Sequence, residues 1–121
     1  MLSLLTTLLV SALAFAQADV AGNWRVEFVV PTGERTVIMT INQKGTAISG
    51  RVVNEDGEFP MEGKIAGDQV TAEWLWPEQG EQIKITMSGT VQGDDINGVA
   101  RLGNVGEGSL TARRDAEGDA R

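Results

Sequence analysis

The side chains best suited to chemistry in this sequence are carboxylates that stand close together in predicted turns. Asp94 and Asp95 are adjacent, and further acids lie in segments 55–58 and 77–81. Two carboxylates at a suitable separation can act as an acid–base pair in hydrolysis. The chain has no histidine and no cysteine, so it lacks the usual general base and a thiol nucleophile. Because adjacent acids in turns are most often solvated, we predict no catalytic residues and a protein that is not an enzyme.

One acidic segment also has a loose similarity to a cation-binding loop. Calcium loops place oxygen ligands at defined offsets, as in D-x-D-x-D-G. The stretch "NEDGE" at 54–58 has acids and a glycine but not that spacing. We therefore predict no metal site and no cofactor.

Aromatic and sulfur-containing residues provide a better candidate for a binding site. Trp74 and Trp76 fall on one face of an extended strand, and Phe59 and Met61 share a face of another. In one interpretation these four side chains are simply part of a hydrophobic core. In the other, they line the mouth of a barrel and bind a small apolar ligand. The candidate ligand-binding residues are therefore Trp76, Phe59, Met61 and Trp74.

The elements that position these residues are predicted to be short antiparallel strands. From Asp19 onward, alternating apolar and polar runs are separated by glycine-containing turns about every ten residues. No stretch with helical periodicity interrupts them, and connections of two to five residues favour antiparallel neighbours. We predict an all-β, eight-stranded antiparallel up-and-down barrel over residues 19–115, followed by a disordered tail at 116–121. The side chains expected to be largely buried are those of Trp24, Phe28, Met39, Ile41, Trp74, Ile85 and Leu110.

Glycines inside the strand patterns favour closure of this sheet into a barrel. Gly50, Gly63, Gly89 and Gly98 stand in strand interiors, where glycine is normally disfavoured. Sharp bending or close packing of the backbone explains their presence, and a narrow barrel requires such bends. Closure also removes the two unpaired edges of an open sheet.

The segment before the strands has a different composition. Residues 1–18 carry no charged side chain and end with small residues at Ala14, Ala16 and Ala18. This pattern predicts a secretory signal that is cleaved after Ala16 or Ala18, and hence a periplasmic or extracellular protein. The alternative is an uncleaved signal-anchor helix, since roughly 17 to 25 apolar residues can span a bilayer. Membrane contact is then expected only through residues 1–18, because a lipoprotein anchor requires a cysteine.

Short motifs in the first and last predicted strands resemble those of the calycin group, which includes lipocalins and avidins. "GNW" at 22–24 opens the first strand and "LTARR" at 110–114 lies in the last. The resemblance implies that Gly22 and Trp24 begin the barrel and that an arginine of the final strand lies across the tryptophan. The repeated "G-D-x-I/V" turns at 67–70 and 93–96 and the terminal "T-A-x-R" at 111–114 are also similar to small β-barrel modules of exported bacterial proteins, some of them appended to amidohydrolase-like enzymes.

Alternation selects the arginine that closes the barrel. Arg114, not Arg113, shares a face with Leu110 and Ala112. We therefore expect the Arg114 guanidinium within about 6 Å of the Trp24 ring, the range of cation–π attraction. A buried arginine also needs acceptors, which we expect from backbone carbonyls of the "DVAG" segment at 19–22.

The sequence departs from the calycins in ways that prevent transfer of their ligand residues. The chain contains no tyrosine, so the second lipocalin motif and the tyrosine of the biotin pocket have no counterpart. The loop after the first strand is a tight "PTGE" at 31–34, not a lid.

Two classes of function follow from these observations. The net charge of −7 argues against nucleic acids as partners and suits a soluble exported domain. The first hypothesis is an exported, non-enzymatic accessory or interaction module that binds a protein partner, such as a larger periplasmic or membrane assembly. The second is a lipocalin-like carrier of a small hydrophobic ligand at the barrel mouth. A filled interior with an outer apolar patch favours the module, and an empty connected cavity favours the carrier.

Overall fold

The computed structural model describes residues 17–31, 33–78, 80–104 and 106–115 of the chain. The signal or anchor helix predicted over residues 1–18 lies almost entirely outside these residues, as does the predicted tail at 116–121. The described part contains no helix long and apolar enough to cross a bilayer.

Eight strands form one closed antiparallel barrel in which each strand pairs with the next and the last pairs with the first. The all-β, eight-stranded antiparallel barrel is therefore confirmed. In chain order the strands are β1 (Gly22–Val30), β2 (Gly33–Lys44), β3 (Ala47–Asn54), β4 (Gly57–Ala66), β5 (Gln69–Glu78), β6 (Glu81–Gln92), β7 (Asp95–Leu102) and β8 (Gly106–Arg114).

Strict alternation along each strand separates the core from the surface. In β1, Trp24, Val26 and Phe28 are buried, whereas Arg25 and Glu27 are exposed. The same rule fills the interior from all eight strands, and no polar or charged residue is buried in the described part of the chain. The predicted burial is confirmed for all of the named core residues: Trp24, Phe28, Met39, Ile41, Trp74, Ile85 and Leu110.

Several strand glycines stand where two backbones approach too closely for a side chain. A Cβ added to Gly50 would lie 1.8 Å from the carbonyl oxygen of Thr40, and one added to Gly98 would lie 1.9 Å from that of Ser88. The prediction that these glycines allow close packing is therefore confirmed. Gly108 has an equally close neighbour, the carbonyl oxygen of Val29 at 1.8 Å.

Gly108 also shows an error in the sequence-based boundaries. The segment 103–108 is predicted as a glycine-rich connection that precedes a strand at Ser109, but β8 begins at Gly106. Glycine has a low intrinsic propensity for strands, which placed this segment outside the predicted strand. In the structure, β1 approaches position 108 so closely that only glycine fits there.

The two ends of the barrel differ in what covers them. At one end, which we call the capped end, residues 17–21 contact the turns at 45–46 and 67–68, and Arg114 contacts Asp94 in the turn at 93–94. The opposite end, the far end, holds the connections from β1 to β2, from β3 to β4, from β5 to β6 and from β7 to β8.

Replacement of Gly98 by alanine tests the close approach of β6 and β7. The new methyl group would overlap the Ser88 carbonyl, so Gly98→Ala should lower the free energy of unfolding by about 3 kcal/mol. Urea denaturation followed by tryptophan fluorescence measures this loss. The exposed Ser109→Ala, on the neighbouring strand, serves as control and should change stability by less than about 0.5 kcal/mol. Equal midpoints for the two variants would contradict the steric argument.

Candidate functional site at the barrel ends and the outer face

The capped end is built around a tryptophan and an arginine on the first and last strands. Trp24 on β1 and Arg114 on β8 are direct cross-strand partners. The guanidinium carbon of Arg114 lies 4.4 Å from the centroid of the Trp24 ring, which confirms the predicted contact. The indole Nε1 donates to the carbonyl of Val20 at 2.9 Å, so the buried ring has its polar atom satisfied.

Each of the three guanidinium nitrogens of Arg114 donates a hydrogen bond. Its Nη1 donates to the carbonyl of Ala21 at 2.7 Å and its Nη2 to that of Asp19 at 2.8 Å. These are the carbonyls of the "DVAG" segment, as predicted. Its Nε donates to Asp94 Oδ1 at 2.9 Å. The Arg114 side chain is 24% exposed and that of Asp94 is 78% exposed, so the ion pair lies at the rim.

A glycine two residues before the tryptophan is required by the backbone. Gly22 has a φ of +122°, a region that residues with a side chain rarely adopt. A Cβ at this position would also lie 3.4 Å from Arg114 Nη1. Gly22 of the "GNW" motif therefore lets the chain turn from residues 17–21 into β1 beneath Arg114.

Residues 17–21 form a cap over the barrel end, of which only the contact between the "DVAG" carbonyls and Arg114 was predicted from the sequence. The amide of Ala18 donates to the carbonyl of Gly67 at 2.9 Å, on the side of the barrel opposite the β1–β8 seam. The Gln17 Nε2 donates to the carbonyl of Gly45. Val20, between these contacts and β1, is fully buried. A further sequence signal for the cap is the isolated Val20, two residues before Gly22 of the "GNW" motif.

One glutamine on β2 holds this cap in place. The Gln43 Oε1 accepts from the amide of Val20 at 2.8 Å, and its Nε2 donates to the carbonyl of Ala18 at 3.1 Å. The side-chain amide of Gln43 thus makes the two hydrogen bonds to the cap backbone that a neighbouring strand would otherwise make. Gln43 falls on the inward alternation of β2, where a polar residue is otherwise unexpected.

The far end brings together the four candidate ligand-binding residues. Phe59 and Trp76 have ring centroids 5.6 Å apart, and Met61 is the cross-strand partner of Trp74. Trp74 in turn stacks on Phe28 at 6.2 Å. Met61, Trp74 and Trp76 are buried and Phe59 is partly buried against the core. Their role in binding remains a prediction.

The strand pairing beside these residues is interrupted. The β4–β5 ladder runs from Ala66 opposite Gln69 to Met61 opposite Trp74 and does not extend further toward the far end. Pro60 in β4 has no amide to donate, and the same is true of Pro77 in β5. Next to this break, the buried Nε1 of Trp74 has no hydrogen-bond partner.

The candidate residues do not share one open pocket. Met61 and Trp74 border an outer cleft of about 490 Å³ between β4, β5 and β6. Trp76 borders a smaller cleft of about 270 Å³ at the rim of the far end. The first cleft is lined on its outer side by Pro60, Glu62, Glu73, Leu75 and Lys84.

The outer face of β7, β8 and β1 combines exposed apolar residues with paired charges. Val29 and Val99 are both cross-strand partners of Ser109 and are 52% and 44% exposed. A cleft of about 630 Å³ lies beside them on the same three strands. Ion pairs border this face: Arg25 with Glu27 at 3.6 Å, Arg113 with Asp95 at 3.3 Å and Arg101 with Glu107 at 2.9 Å.

The acidic residues considered for chemistry are distributed over the surface. Asp94 pairs with Arg114, and its neighbour Asp95 pairs with Arg113 on the adjacent strand. The described acids include no group of three or more that could hold a metal ion. The acidic stretch at 54–58 spans the tight β3–β4 connection, in which Asn54 Oδ1 accepts from the amide of Asp56 at 2.8 Å.

Comparison with known proteins adds no further assignment. No protein-family model matches the chain, and no curated protein matches it.

Two adjacent arginines provide a matched test of the capped end. Arg114→Gln removes the cation over Trp24 and two donors to cap carbonyls, so it should lower the free energy of unfolding by about 2–3 kcal/mol. Arg113→Gln breaks only an exposed ion pair and should cost less than about 1 kcal/mol. Chemical denaturation of both variants measures the difference. Equal losses would mean that Arg114 does not close the barrel.

Proposed function

We propose that this chain is an exported, non-enzymatic β-barrel that acts as an accessory or interaction module. Its partner is a protein, such as a subunit of a larger periplasmic or membrane assembly. The observation that supports this proposal most directly is the filled interior: core side chains from all eight strands are buried there, with Trp24, Met39, Met87 and Val52 fully inaccessible. A barrel packed in this way presents its functional groups on the outside.

The outer face of β7, β8 and β1 is the surface that best fits a partner. Val29 and Val99 give it exposed apolar area, and the paired charges at its border can be exchanged for pairs across an interface. Interfaces commonly have an apolar centre and a polar rim. A third exposed apolar residue, Leu75, stands alone on β5 and belongs to a different part of the barrel wall.

One observation favours a second function, the carriage of a small hydrophobic molecule. The indole Nε1 of Trp74 is buried without an acceptor, and a buried donor in that state costs about 1–3 kcal/mol. A ligand with an apolar body and a carbonyl or similar acceptor would satisfy it. The break in the β4–β5 ladder next to Trp74 is the natural point of access.

Site-specific photo-crosslinking in the exporting cell tests the module function. A photoreactive residue at Val29 or Val99 should give a defined adduct with one protein, because both positions face the proposed partner. The same residue at Leu75 is the control, since this side chain is 51% exposed but lies on β5. Equal adduct patterns from all three positions would contradict a specific surface on β7, β8 and β1.

Native mass spectrometry of the purified protein tests the carrier function. For a module, the measured mass should equal that of the polypeptide, and apolar ketones or fatty acids should leave tryptophan fluorescence unchanged. A stoichiometric apolar ligand would instead favour the carrier. Trp74→Phe, which keeps an aromatic ring and removes Nε1, should then weaken binding about 10-fold, in line with the loss of one buried hydrogen bond.

A further inference from the structure

The structure distinguishes between the two processing sites that the sequence leaves open. The Ala-x-Ala pattern is satisfied both by Ala14 with Ala16 and by Ala16 with Ala18. The first choice makes Gln17 the first residue of the exported protein, and the second makes it Asp19. The two products differ only in the part of the chain that caps the barrel.

Cleavage after Ala18 would remove three of the seven hydrogen bonds described above between residues 17–21 and the rest of the barrel. The bonds lost are those from the Ala18 amide to Gly67, from the Gln17 side chain to Gly45 and from Gln43 Nε2 to the Ala18 carbonyl. Without them the cap no longer reaches across the barrel end from the β1–β8 seam to the β4–β5 turn. Ala18, which packs against the core, would also be lost.

We infer that the signal is cleaved after Ala16, and that the exported protein begins at Gln17 with residues 17–21 as a structural cap. This inference rests on the proposed export of the chain. It also assigns a role to Gln43, whose side-chain amide recognises the backbone of the cap.

Intact mass of the protein expressed from the full-length gene in a bacterial host tests the cleavage site. We expect the mass of the chain that starts at Gln17, with or without cyclisation of that glutamine. A mass starting at Asp19 would overturn the inference while leaving export intact. An unprocessed chain in the membrane fraction would overturn the inference together with export as a soluble protein.

Two substitutions make the processing test independent of the product's stability. Ala14 belongs only to the first site and Ala18 only to the second. Ala14→Asp should therefore stop processing at Gln17, whereas Ala18→Asp should leave it unchanged. The reverse pattern would show that Ala18 precedes the cleaved bond.

A third measurement tests whether Ala18 belongs to the folded cap of the processed protein. Gln43→Glu keeps the acceptor for the Val20 amide but removes the donor to the Ala18 carbonyl. It should lower Tm by about 4–8 °C, the shift that a loss of one hydrogen bond gives in a domain of this size. Asn42→Asp, on the exposed side of β2, is the matched control and should leave Tm within about 2 °C. Equal Tm values for both variants would show that Ala18 is not part of the folded cap.

Discussion

The barrel closes around an arginine that can leave water only if its donors are satisfied. An arginine side chain carries a full positive charge, and burial of a charge without partners is costly. Its acceptors are the carbonyls of Asp19 and Ala21, which precede the first strand, and its cation lies on the ring of Trp24. Arg114 therefore joins the β1–β8 seam, residues 17–21 and the Trp24 ring through direct contacts. Gln43 extends these contacts to the second strand.

The narrow interior imposes a second constraint, which decides where function can lie. Core side chains of all eight strands fill the barrel, and glycines such as Gly50 and Gly98 are needed because neighbouring backbones almost touch. The clefts described above lie on the outer face and at the rim of the barrel. The β4–β5 ladder ends beside Pro60, where the buried Nε1 of Trp74 lacks an acceptor.

Local periodicity explains why much of this could be predicted from the sequence. Alternation with period two assigned the buried faces and selected Arg114 over its neighbour Arg113, since a one-residue shift reverses every side chain. It could not predict the Asp94 partner of Arg114, because contacts between a turn and a distant strand leave no periodic signal. The rest of the cap was missed for the same reason: Gln43 binds it through a single side chain. Gly108 was predicted to lie outside the last strand because glycine has a low strand propensity. The close approach of β1 requires a glycine at this position of β8.

The two arginines of β8 differ in how much they contribute to stability. The Arg114 side chain is 24% exposed and holds the barrel closed, whereas the Arg113 side chain is 82% exposed and pairs with Asp95 across the strand. Exposed ion pairs of this kind contribute little to stability, at most about 1 kcal/mol, so the fold does not require them. Under the proposed function, the exposed ion pairs on the same outer face as Val29 and Val99 serve an interface, where the same charges, once desolvated against a partner, give specificity rather than stability. The charges on this face can then vary without changing the contacts that close the barrel.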